Sequence, residues 1–131
     1  MIRVAQGTAY VVRGAKMKCS KGTNITRINL PESHGSYSNG NPVMNENDYV
    51  VGKNISCFGI CRGACPSSGD ITLKKKNGGT VTGKKCQVKI IKEWMNAKED
   101  TLVDGLPALT TDSTLICAYG GIIKFISDGQ A

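Results

Sequence analysis

The chain has 131 residues, 40% of them hydrophobic, and a formal net charge of +7, which suits one domain with a modest core. Sixteen glycines against seven aromatic residues exclude long helices and a large aromatic core, and leave crosslinks, a metal or a partner to supply stability. No run of about eighteen apolar residues spans a membrane, and MIRVAQGTAYVVRGAK lacks the apolar segment of a signal peptide, so cytoplasmic synthesis without a secretory leader is expected.

Residues 1–9 read as a short leader. From Tyr10, YVVRGAKMKCSKG predicts two short strands about Gly14, with Met17 and Cys19 alternating with lysines and a turn at Lys21-Gly22. Asn24–Leu30 alternates as a strand with one slip that a bulge absorbs, and Pro31 ends it. Residues 31–48 are loop, with a hairpin turn at Asn39-Gly40. The loop holds His34, the single histidine, whose expected state is plain solvation.

Tyr49–Ile60 is strand-like and broken by glycine. It runs into CFGICRGACP, which places Cys57, Cys61 and Cys65 four residues apart. Residues 66–70 predict a turn. Ile71–Gly83 predicts a hairpin on Asn77-Gly78, whose dipeptide takes positive φ readily. Lysines 74, 75, 76, 84, 85, 89 and 92 cluster here, and the expected role is a solvated edge that discourages strand pairing. Nucleic acid is disfavoured, because arginine is scarce and no aromatic residues interleave with the lysines.

Lys84–Glu99 predicts a strand first, with at most a helical turn near Trp94. The last stretch, 102–130, holds two apolar bursts, Leu102–Leu109 and Leu115–Ile126. They are broken by Gly105, Pro107 and Gly120-Gly121, and so predict short strands turning on glycine. The sequons at Asn24 and Asn54 need a secretory route that the sequence does not suggest.

Cysteines 19, 57, 61, 65, 86 and 117 carry the only obvious metal or redox chemistry. Three states stand open: reduced thiols, a disulfide framework with fifteen possible pairings, or a sulfur-rich Zn²⁺ site. The spacing is not that of a zinc finger, since no C-x2-C occurs.

Taken together, YVVRGAKMKCS (10–20), NISCFGIC (54–61), GLPALT (105–110) and STLICAYGGIIKFISDGQ (113–130) resemble the PAAR-like family, small relatives of the PAAR proteins that cap contractile injection machines. The match covers almost the whole chain, and its strongest parts are RGAxxxCS and LxCxxGGxI. The resemblance implies a single mostly-β domain over 1–131, glycine-rich strands and hairpins in a compact cone, with the lysine hairpin 71–83 as an insertion. It implies a base seated on a trimeric β-helical spike of the VgrG kind. Tyr10, Val11, Val12, Ile122, Ile123 and Phe125 would lie towards that partner. The cap would meet a target membrane transiently and serve as a mount for effector cargo; ending without an extension, the chain is expected to carry no toxin of its own.

PAAR proteins hold zinc with three histidines and one cysteine. With His34 alone, any metal here falls largely to sulfur, and the set carried over is Cys19, Cys61, Cys86 and Cys117, with Cys57 and Cys65 as additions. The expected protein is structural and not an enzyme, since no C-x-x-C, no Cys–His pairing outside a loop and no paired carboxylates beyond Glu99-Asp100 are present. The competing readings are a small cysteine-based redox protein and a basic nucleic-acid-binding β-module.

Overall fold

Alternation of apolar and charged residues is clear in KMKC and IIKF, and these segments form the two inner strands of the largest sheet. The computed structural model describes residues 9–66 and 70–130. Ten strands follow in chain order: β1 (Lys16–Cys19), β2 (Thr26–Arg27), β3 (Tyr37–Ser38), β4 (Asn41–Pro42), β5 (Asp70–Lys74), β6 (Thr80–Lys84), β7 (Lys98–Val103), β8 (Leu106–Ala108), β9 (Thr114–Ile116) and β10 (Ile122–Phe125). The one larger sheet has the order β2-β1-β10-β9, and all its pairs are antiparallel. Met17 faces Phe125 and Ile123 faces Leu115 across it, so one face is buried while the lysines of β1 and β10 point outward.

Three separate hairpins, β3-β4, β5-β6 and β7-β8, complete the strands, giving the mostly-β architecture expected. Two of them close on two-residue turns with both residues at positive φ, as a type I′ turn requires: Asn39-Gly40 (51° and 79°) and Asp104-Gly105 (52° and 80°). Asx-Gly pairs tolerate that conformation, so the sequence dictates the reversal locally.

Edges of the larger sheet are tied by single bridges. Met95 exchanges main-chain hydrogen bonds with Thr114 of β9, and Ile90 bridges Cys117. On the other side, Asn24 N–H donates to Phe58 and Asn29 N–H to Asn54. Beneath the sheet lie Trp94, Phe58, Met17, Ile28, Leu30, Met44, Ile55 and Leu109, all fully buried. A smaller cluster of Val12, Val43, Val103 and Ala108, with Tyr10 against it, lies beside this core.

Several expectations need correcting. Tyr49–Ile60 is not a strand but an irregular segment with two bridges, Val51 to Ile55 and Ile60 to Lys85. Asn24–Leu30 shrinks to β2, and the stretch before Gly14 to bridges at Tyr10 and Val12. Residues 85–97 carry neither a strand nor a helical turn; the described residues contain no helix, and none therefore long and apolar enough to cross a membrane. Residues 1–8 of the 1–9 leader and residues 67–69 of the 66–70 turn lie outside the described residues.

The lysine hairpin forms as expected but turns differently. Gly78 alone has positive φ (88°), Gly78 N–H donates to Lys75, and Lys75 N–H donates to Gly79 at 2.7 Å, a five-residue connection. Among the described residues its strands pair with each other alone, and the base is held by Cys61 N–H donating to Lys84. We predict that Gly78→Ala, which places a side chain at positive φ at about 1 kcal/mol, speeds amide exchange across 70–84. The global melting temperature should stay put, since the hairpin opens without the core. A matching fall in melting temperature would show the hairpin to be part of the cooperative unit.

A cysteine-lined cavity as the candidate site

The β1–β10 register sets Cys19 opposite Ile123, and a tight turn returns Cys117 to the same place: Cys117 N–H donates to Gly121 and Gly120 N–H to Cys117. Gly121 leaves room for this approach, since a Cβ there would meet Cys19 Sγ and force the thiol to shift. From the other side, Cys61 N–H donates to Lys84 (2.8 Å) and Cys86 N–H donates to Gly59 (2.8 Å). Lys84 Nζ then donates to the carbonyls of Gly63 and Cys65, both at 3.0 Å, and fixes the loop between Cys61 and Cys65.

These contacts converge on a cavity of about 10 Å³, lined by Cys19, Cys61, Cys65, Cys86 and Cys117 among apolar neighbours that include Phe58 and Ile123. That is room for one water-sized sphere. Cys61 and Cys65 are joined as a disulfide, while Cys19, Cys57, Cys86 and Cys117 are free. Burial pushes the Cys86 thiol up; a Phe58 backbone hydrogen bond opposes the shift, and Cys57, Cys19 and Cys117 add to it. Cys86 is therefore a protonated, poorly nucleophilic thiol at neutral pH.

The family described as "Domain of unknown function (DUF4280)" matches residues 11–130, a span that holds all five cavity cysteines and all ten strands. The chain belongs to the DUF4280 family. No curated protein matches it, and no solved structure does.

All four cysteines of the expected metal set in this DUF4280 domain reach one cavity, but Cys65, read as an addition, stands there too and bonds Cys61. Cys57 is exposed and does not line it. Among the described residues no three His, Cys, Asp or Glu side chains stand in a metal-holding group. While the disulfide is closed, Cys61 is not available as a thiolate, and the expected four-sulfur set is incomplete.

The residues expected to face a partner mostly do not reach the surface. Val11, Val12 and Ile123 are 0% exposed and Phe125 is buried, so they hold the domain's own core. Ile122 is exposed and Tyr10 half-buried, its hydroxyl near Thr101 Oγ1. His34 departs from the solvated state expected of it. Its Nε2 lies 3.0 and 2.9 Å from the two carboxylate oxygens of buried Asp48. Nothing but a conventional loop composition surrounds either residue in the sequence, so only the fold reveals the pair.

Thiol chemistry gives a direct test. Without reductant, iodoacetamide should label Cys57 first and Cys86 last, and Cys61 and Cys65 not at all, as read by peptide mass spectrometry. Reduction should then release both and lower stability by about 2 kcal/mol, the loop-closure value for so short a loop. Because the Cys86 proton is held more tightly in the folded chain, its contribution is full below the ordinary thiol range and lost as pH rises through and above it. Equal labelling rates at Cys57 and Cys86 would show that the cavity is open.

Proposed function

We propose that this DUF4280 domain is a structural spike tip, a PAAR-like cap that finishes the trimeric β-helical spike of a contractile injection machine and performs no catalysis. It is made in the bacterial cytoplasm and acts at the end of the injected particle, in membrane puncture and as a mount for effector cargo. The observation that carries the reading is the meeting of the two strongest motifs. Residues 16–19 and 122–125 are neighbouring strands, and Cys19 of the first motif occupies the space that Gly121 of the second leaves free.

Stiffness is the property such a tip needs, and here it comes from sulfur and from strand pairing. The Cys61–Cys65 bond closes one loop, and main-chain hydrogen bonds from Cys61 to Lys84, Cys86 to Gly59 and Cys117 to Gly121 fix the segments that line the cavity. Zinc is proposed for the reduced chain only, where Cys61 would join Cys19, Cys86 and Cys117 as thiolates, the donors Zn²⁺ prefers. In that state the metal would supply folding energy to a small core. Towards the spike, Ile122 and the exposed part of Tyr10 are the remaining side-chain contacts of the expected set; the buried members act by fixing the strands.

Co-expression with the trimeric spike protein of the same genome tests the reading. Size-exclusion chromatography with light scattering should return one domain per spike trimer. Persistent failure of the two to associate would end the proposal.

A further inference from the structure

The outward face of the larger sheet has a composition that its own stability does not explain. In register it presents Arg27, Lys16 and Ile126 in one row, then Lys18, Lys124 and Thr114, then Ser20, Ile122 and Ile116. Lys16 stands directly opposite Arg27 and Lys18 directly opposite Lys124, arrangements that repel. None of these positions is acidic. Asp112 and Asp128 line depressions at the corner that holds Lys124 and Ile126. Between and around the cations, Ile122 (42%), Ile126 (45%) and Ile116 (36%) are exposed, as is Ile25 (57%), just before β2.

From this face we infer a docking surface for an anionic lipid bilayer. Four cations on a sheet about 14 Å across attract a negatively charged plane, and isoleucines spaced among them can enter the headgroup region once it is reached. A protein partner is a poorer fit, since protein interfaces are depleted in lysine and enriched in aromatic residues, which this face lacks. Single-stranded nucleic acid is poorer still, for want of a ring on which a base could stack. The inference rests on surface chemistry and competes with the spike reading for Ile122, which cannot meet lipid and spike at once; flotation is therefore read on the free domain, and spike association is read separately.

Vesicle flotation with the purified full chain tests it, using phosphatidylcholine vesicles with and without phosphatidylglycerol. The chain should float only with the anionic vesicles and be released by salt. Lys18→Glu with Lys124→Glu should weaken binding by roughly fivefold per lost cation. Lys75→Glu with Lys76→Glu, the same charge change on the hairpin tip, should alter it less than about twofold by the same rule. Circular dichroism of both variants separates a lost surface from a lost fold. Three results would each overturn the inference: equal flotation with neutral vesicles, equal loss in the two charge variants, or tighter retention by DNA than by anionic vesicles.

Discussion

Trp94→Ala should be the most damaging single change in the core, costing about 3–5 kcal/mol. Three observations set that size. The side chain is the largest of those fully buried; its ring stacks on Phe125 with centroids 4.7 Å apart; and its indole Nε1–H donates to the main-chain carbonyl of Asp48 at 3.0 Å. Truncation therefore removes apolar burial, an aromatic contact across to β10 and the donor of a buried carbonyl. Against a total stability of about 5–15 kcal/mol for a domain of ordinary stability, the variant would sit near its unfolding threshold at room temperature.

Trp94→Phe separates these contributions. It keeps a ring against Phe125 and loses the indole donor, so a cost of about 1–2 kcal/mol is expected from the unsatisfied carbonyl and the missing volume. As the single tryptophan, Trp94 also reports unfolding by fluorescence in the parent chain, while far-ultraviolet circular dichroism follows the variants. The check is the shift in urea midpoint at constant slope. If alanine and phenylalanine prove equally costly, the hydrogen bond to Asp48 and not the buried volume dominates the site.

What the sequence reveals of this fold divides along physical lines. Where the chain reverses locally, the residues suffice at Asn39-Gly40, because both turn residues supply the needed backbone angles; the hairpin around 77–78 is present too, but its five-residue connection uses positive φ at Gly78 alone. Asp104-Gly105 carries the same signal, although Gly105 is more readily read as a simple strand break. Alternation likewise marks β1 and β10, each buried on one face.

Tyr49–Ile60 shows the opposite case. It has the composition of a strand, yet Asn54 satisfies its backbone with a side chain in place of a ladder: Asn54 Oδ1 accepts from Val50 N–H and Nδ2 donates to the carbonyl of Asn29. Propensity does not distinguish an extended segment tied in this way from a paired one. The cysteines mark the same boundary. Their number announces sulfur chemistry, whereas the choice of Cys65 as the partner of Cys61 depends on a loop that Lys84 pins from another strand.

The second large effect is expected at Asp48, which joins three parts of the fold. One carboxylate oxygen accepts from Asn45 N–H at 2.7 Å, both oxygens meet His34 Nε2, and the residue's carbonyl receives Trp94. Asn45 in turn donates through Nδ2 to the carbonyl of Val103 in β7, so the carboxylate holds His34 and Asn45 directly and the β7-β8 hairpin through Asn45, while Trp94 is held by the Asp48 main chain. Asp48→Ala strands the buried Asn45 N–H and removes the partner of a half-buried histidine. Bonds to a charged acceptor and an orphaned buried donor together put the loss at about 2–4 kcal/mol.

Asp48→Asn is the informative companion. The amide oxygen can still accept from Asn45 N–H, and the amide nitrogen can donate to His34 Nε2 in the opposite tautomer, so about 1 kcal/mol is expected. A small asparagine effect beside a large alanine effect identifies the network as a matter of hydrogen-bond satisfaction. Equal losses would identify the negative charge itself as the essential feature, and His34→Ala should then cost as much as either, since it leaves that charge buried without its nearest counterpart.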